Sequence, residues 1–305
     1  MMRRLGVALA GLGIVAVISF SAAAQTLDTL PFKKKLALAK AGDEEAQFAV
    51  GEALSNGKDV KVNKAEASKW YGKAADQGNA DAQFKLATLF HEGAPGLKKS
   101  PERAFKLYEA AAKQGHVEAE NWLGYCYQHG LGVGQSDKSA VEWYRKAADA
   151  KLAMAENNLG LMYLSGKGIE QDYAKAFELF QRSANQGYDW GMNNLGGLYE
   201  KGWGTEPDLA KALLLYRDAA AKGNDAAAKS AKRIEPMVVK TEANPSVQPT
   251  SGAPDNPTMN QPVPAKPPGD ASSAPAPLSA DNPLDGKPKL PPPPEKKVKS
   301  DSSGE

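Results

Sequence analysis

The chain has 305 residues and a formal net charge of +2, with 38 basic and 36 acidic side chains. A phosphate-binding surface concentrates Lys and Arg without balancing acids, so nucleic acid is not an expected partner. Cys126 is the only cysteine, which excludes a disulfide within the chain in any redox compartment.

Residues 1–24 read as a secretory signal. Arg3 and Arg4 supply a positive start, Leu5 to Phe20 is uncharged and apolar, and Ala22-Ala23-Ala24 offers small residues before Gln25. The alternative is an uncleaved anchor, because the apolar run approaches the length that spans a bilayer. Gly11 and Gly13 and the placement of the small-residue site favour cleavage. The expectation is a periplasmic or secreted protein with no stable membrane span after cleavage. No cysteine follows the apolar run, so a lipid anchor is not expected.

Residues 25–37 form a lead into a capping helix, in which Pro31 opens a helical stretch through Lys40. Gly42 ends it as a left-handed C-cap and begins the series Gly42, Gly78, Gly115, Lys151, Gly187, Gly223. The intervals are 36 or 37 residues, and the one extra residue falls near Ala94-Pro95-Gly96. Lys151 breaks the glycine rule, so its turn either differs or carries strain.

Each repeat carries two helical patterns. In the first, apolar residues recur at i, i+4 and i+8, as in Ala119, Leu123 and Tyr127, and the helix ends at Gly57, Gly93, Gly130, Gly166 or Gly202. Gly51, Gly124, Gly160 and Gly196 lie inside these helices at a cost of about 1 kcal/mol each relative to alanine, which implies a second helix packed close against the backbone. The second pattern starts at Asn63, Ser100, Ser136, Asp172 and Asp208, all N-cap side chains in register. Its apolar face reads Ala140, Trp143-Tyr144, Ala147-Ala148 and their equivalents. Neither helix buries its face alone, whereas five stacked pairs make a continuous core. The fold class is therefore all-α: an α-solenoid over residues 38–235, with Asn224 to Ile234 as a polar capping helix.

Several motifs carry a family resemblance. They are Leu-Gly-x-x-Tyr at 123–127, 159–163 and 195–199, Gly-x-Gly at 130–132, 166–168 and 202–204, and Trp-Tyr-x-x-Ala-Ala at 70–75 and 143–148. This grid closely resembles the Sel1-like repeat family, a branch of the tetratricopeptide-type helical repeats. The resemblance implies a right-handed solenoid that acts as a scaffold for protein complexes, often in bacterial envelopes. The first two copies fit less well, since Leu54 follows Val50-Gly51 and Leu86-Ala87 replaces Leu-Gly.

From Pro236 to Glu305 the chain is rich in Pro and lacks Trp, Tyr and Phe, the composition of a disordered tail. Its roles would be tether, ligand for a proline-binding partner, or inert solvated tail.

No catalytic, cofactor or metal site is expected. The sequence has no phosphate loop, His-Glu-x-x-His or Gly-x-Ser-x-Gly. His116 with Glu118 and Glu120 reads as a helix start, and Cys126 as a buried small hydrophobe. Some cysteine-rich relatives of the repeat family are associated with β-lactams, but their paired cysteines are missing here.

The functional expectation is instead a surface. On the first helix of each repeat, residues turned away from the core stripe are Phe48, Phe84, Asn121, Asn157 and Asn193, flanked by Tyr125 and Trp190. First helices line the concave side of helical-repeat folds, so these residues would form a groove for an extended segment of an envelope protein. An asparagine ladder suits a peptide main chain, because each amide both donates and accepts. The competing reading has the asparagines bonding to neighbouring helices and the aromatics shielding the core. Rival functions are a glycan-binding module using Trp190, Trp122 and Tyr125, a cell-wall or β-lactam hydrolase, and self-binding of the tail in the groove.

Overall fold

A computed structural model describes residues 27 and 29–243. The expected signal segment, and the Pro-rich sequence beyond 243, lie outside the described residues. The helices are α1 (Phe32–Lys40), α2 (Glu44–Asn56), α3 (Lys64–Asp76), α4 (Ala80–Glu92), α5 (Pro101–Lys113), α6 (Val117–His129), α7 (Asp137–Asp149), α8 (Ala153–Ser165), α9 (Tyr173–Asn185), α10 (Asp189–Lys201), α11 (Leu209–Ala221) and α12 (Asp225–Ala243). The even-numbered helices α2 to α10 are the first, or A, helices of five repeats, and α3 to α11 are the second, or B, helices. Each A helix packs on its own B helix, and each B helix on the next A helix, which makes an all-α solenoid capped by α1 and α12.

The B helices begin where the cap residues stand. Asn63, Ser100, Ser136, Asp172 and Asp208 each accept a hydrogen bond from the backbone N–H three residues on. Four of the A helices end on a left-handed glycine: Gly57, Gly130, Gly166 and Gly202. Gly93 has another conformation (φ 73°, ψ 167°), and here the extra residue is taken up in a tight turn where Ala94 and Leu97 exchange backbone hydrogen bonds at 2.9 and 2.8 Å.

The helix-interior glycines have the expected close neighbour. A Cβ on Gly51, Gly124, Gly160 or Gly196 would meet the ring of Tyr71, Tyr144, Phe180 or Tyr216 at 2.6 to 2.9 Å. These rings are the buried centre of each helix pair, with exposures of 3% or less. The second glycine of each Gly-x-Gly has a separate role. A Cβ on Gly132, Gly168 or Gly204 would overlap the backbone at Pro101, Asp137 or Tyr173, the first turn of the preceding repeat's B helix. One glycine turns the chain, and the next lets that loop sit on its neighbour.

Two departures from expectation stand out. Lys151 adopts φ +64°, the same left-handed turn its glycine counterparts use (Gly115 +82°, Gly187 +81°), so the turn is kept and the strain accepted. The capping helix does not stop before Pro236; α12 continues through it to Ala243. Proline removes one helical hydrogen bond, but Ile234 and Val238 on either side are both buried against α11, and that shared apolar face holds the helix together. The boundary expected at 235 is corrected accordingly.

Candidate functional site

The A helices form the inner row. From α6 to α10 successive A helices touch directly through side-chain amides, whereas the B helices α3 and α5 leave a cleft between them. Two sets of polar ties run along the row.

The first set starts from the helix-A residue just after the leading alanine. Gln77 Nε2 donates to Gln47 Oε1 (2.8 Å) while Gln47 Nε2 donates to the Ala39 carbonyl (3.2 Å). Gln114 and Gln83 repeat this at 2.9 Å, with Gln83 donating to the Ala75 carbonyl at 3.3 Å. Glu156 occupies the same position but has no donor to give. Arg182 supplies it instead, holding Glu156 Oε1 through Nε at 2.8 Å and the Ala148 carbonyl through Nη2 at 3.1 Å. Gln186 then satisfies Glu156 Oε2 at 2.7 Å, so a carboxylate only 1% exposed is fully partnered. Glu120 is the weak copy. Ala150 stands where the glutamine should be, and burial pushes the Glu120 carboxyl up, opposed in part by Lys146.

The second set is the asparagine ladder, and here the groove expectation is corrected. Asn121, Asn157 and Asn193 are 1%, 1% and 3% exposed and do not present their amides along a groove. Asn158 Nδ2 donates to Asn121 Oδ1 at 2.9 Å, and Asn194 Nδ2 to Asn157 Oδ1 at 2.7 Å, each bond joining consecutive A helices. Ser230 occupies the next place in this series, on α12, and its short side chain does not continue the ladder; Asn193 Oδ1 is buried with no partner. On the other side, Asn121 Nδ2 donates to Met154 Sδ at 3.3 Å. The equivalent of Met154 one repeat on is Trp190, whose indole is a donor only, and Asn157 Nδ2 is left buried and unpartnered.

The aromatic candidates divide. Tyr125 and Trp122 are both 7% exposed, so neither is a free platform for sugar. They belong to an aromatic chain in which Trp122 stacks on Tyr108 at 5.6 Å and His91 meets Trp122 edge-on at 5.0 Å. Phe84 and Phe48 are half-buried against Tyr108 and Tyr71 at 5.9 and 5.8 Å. Trp190 stays half-exposed on the inner row, in line with half-exposed Met154 and Leu161. Trp190 was legible as a groove neighbour, but the ladder partners Asn158 and Asn194 were missed, although the Asn-Asn pairs at 157–158 and 193–194 stand in the sequence.

His116 caps α6, its Nδ1 accepting from the Ala119 N–H at 3.2 Å, and its ring stacks on Phe84 at 4.6 Å. Cys126 is 1% exposed and its thiol is pushed up to about 12 by burial, which leaves it without nucleophilic character near neutrality. Among the described residues no group of three or more His, Cys, Asp or Glu could hold a metal ion, and no helix is long and apolar enough to cross a membrane.

The Sel1 repeat model matches residues 44–79, 80–116, 117–152, 153–188 and 191–224, more than half of the chain. The chain belongs to the Sel1 repeat family. A Sel1 repeat protein from Oxalobacter formigenes has a similar structure, with a TM-score of 0.61 and 31% identity over 67% of this chain and 87% of its own. A protective antigen of uropathogenic Escherichia coli, displaying an SLR fold, is similar at the same TM-score and identity over 67% of this chain and 44% of its own. Chitin synthase regulatory factor 1 of Schizosaccharomyces pombe is 40% identical over 96 residues, which are 31% of this chain and 21% of that protein. The chain thus spans about a fifth of that curated relative. Sel1 repeat proteins are protein–protein interaction scaffolds, and the repeat is a generally non-enzymatic adaptor fold.

Proposed function

We propose that this Sel1 repeat protein is an exported adaptor that holds an extended segment of an envelope protein along the inner row of its A helices. Export rests on the sequence of residues 1–24. The adaptor role is supported by the family and by relatives named as regulatory factors of chitin synthase. The observation that carries the reading is Trp190, which stays partly exposed in line with Met154 and Leu161 at the last two repeats. A tryptophan flanked by a methionine and a leucine offers an apolar anchor of the kind favoured at binding hot spots. The anchor is therefore Trp190 with Met154 and Leu161, and the asparagines lie beneath it.

In-cell crosslinking of the full-length chain, read by mass spectrometry, tests this reading. One envelope protein should be captured by the wild type, and lost with Trp190→Ala at unchanged helicity. Equal capture by the variant would sink the groove reading, and recovery of cell-wall fragments alone would put glycan binding first.

A further inference from the structure

In a repeat protein a special site shows as a break in the repetition, and two breaks meet on the outer face. The first is Gly72 on α3, where later repeats carry Glu109, Arg145, Gln181 and Arg217. The second is the extra residue in the Ala94–Leu97 turn. Between them α3 and α5 stand apart over a cleft of about 730 Å³. Its floor is apolar: Leu86 and Phe90 of α4, Leu97 of the turn and Leu107 of α5. Its rim is basic, with Lys69, Lys73, Arg103 and Lys106 against the single carboxylate Asp76. Lys69 pairs with Glu66 along its own helix at 2.8 Å. Lys73 and Arg103 lie over the rings of Trp70 and Phe90, each at 4.0 Å. Among the described residues none of Lys73, Arg103 and Lys106 forms an ion pair with a carboxylate. An apolar floor within a cationic rim fits a short segment that presents one large apolar side chain between acids.

The chain itself carries such a segment. Among residues 244–305, Leu284 and Val298 each have a carboxylate within three positions on both sides, but Val298 lies among Lys296, Lys297 and Lys299, whereas Leu284 stands in Asp281-Asn282-Pro283-Leu284-Asp285 with no base beside it. We propose that Asp281–Asp285 docks in the cleft between α3 and α5, Leu284 on the floor and Asp281 and Asp285 on the rim. Pro283 lowers the entropy lost on binding in an extended form. Length is no obstacle: Asp281 follows Ala243 by a stretch that reaches roughly 120 Å at ~3.3 Å per residue. The stack of helices to be passed has spacings of only about 8–10 Å. Docking would fold the C-terminal sequence back over the first repeats and leave the inner row open, so this inference stands apart from the groove reading.

The test uses the full-length chain with p-benzoylphenylalanine in place of Leu284 and maps the photo-crosslinks by mass spectrometry. The expected products join position 284 to the segment from Leu86 to Leu107. In a mixture of ¹⁴N- and ¹⁵N-labelled chains they should stay within one chain. Lys73→Glu with Lys106→Glu should lower the yield about tenfold, and adding Asp281→Lys with Asp285→Lys should restore it. Gly72→Arg, which borrows the side chain of Arg145 and Arg217, should fill the cleft and abolish the product at an unchanged melting temperature. Crosslinks between labelled and unlabelled chains, crosslinks on the inner row near Trp190, or a yield indifferent to the charge swap would each overturn the proposal.

Discussion

Gly124 lies so close beneath Tyr144 that a Cβ there would stand 2.7 Å from the ring's Cδ1. Gly124→Ala sets two effects against each other. Alanine favours the helix by about 1 kcal/mol. Overpacking a buried contact costs about 1–3 kcal/mol, and the fully buried Tyr144 ring has little room to retreat, held by its hydroxyl to Gln128 at 2.7 Å. The packing term should win, with a net loss of up to about 2 kcal/mol in urea unfolding. A neutral or stabilising result would mean that the ring shifts freely, and that the glycine is retained for another reason.

At Lys151 the same kind of substitution runs the other way. A left-handed non-glycine residue costs about 1–2 kcal/mol, while glycine loses about 0.5–1 kcal/mol more chain entropy on folding. Lys151→Gly should therefore stabilise by roughly 0.5–1 kcal/mol. Lys151→Ala should change little, because Ala keeps the Cβ at φ +64°. Chemical denaturation of the three chains distinguishes the cases.

The asparagine ladder predicts a larger loss. Asn194→Ala removes the 2.7 Å bond to Asn157 Oδ1, leaving Asn157 buried with neither amide atom partnered. The expected cost is about 1–3 kcal/mol. Hydrogen exchange should place the loss at the α8–α10 joint, and uniform loosening along the solenoid would count against a local tie.

Glu120 gives a pH-dependent prediction. Its carboxyl is raised chiefly by burial, so the folded state holds the proton more tightly than the unfolded chain. Its contribution to stability is then most favourable in acid and declines as pH rises through the ordinary carboxyl value of about 4.3 toward the raised one. Glu120→Gln should stabilise the protein at neutral pH, because the new side-chain amide is uncharged and free to donate to the Ala112 carbonyl as Gln83 does to Ala75. The advantage should shrink below the carboxyl range. An advantage that persists unchanged in acid would assign the effect to the new hydrogen bond alone.

His91 is shifted in the opposite sense, lowered by burial first and by Lys99 second. The unfolded chain binds its proton more readily, so stability should fall as pH drops below the ordinary imidazole value of about 6.5. His91→Phe should flatten that part of the pH profile while keeping an aromatic ring against Trp122.

Most of the architecture could be read from residues that act locally. Caps such as Ser136 and Asp172 bond three residues away, and turn glycines such as Gly115 answer to backbone angle alone, so their spacing marked the helix ends. What escaped the sequence depends on neighbours in other repeats. A helical wheel turned Asn121 and Asn157 away from the core of their own repeat, which is true of that pair of helices. It carries no account of the next A helix, which covers that face and bonds to the amide. Pro236 misled for a related reason, since the local signal for a helix end was overridden by burial of Ile234 and Val238 on α11.

The ties between repeats are all short in chain terms. Gln83 reaches back 8 residues to the Ala75 carbonyl, and Asn158 reaches back 37 to Asn121. A further repeat placed between them would bring its own tie and lengthen none of the others. Loop closure would then be as easy for the tenth unit as for the second. Such a protein can be enlarged by tandem duplication without slowing its folding, and its reach is free to follow the size of what it holds.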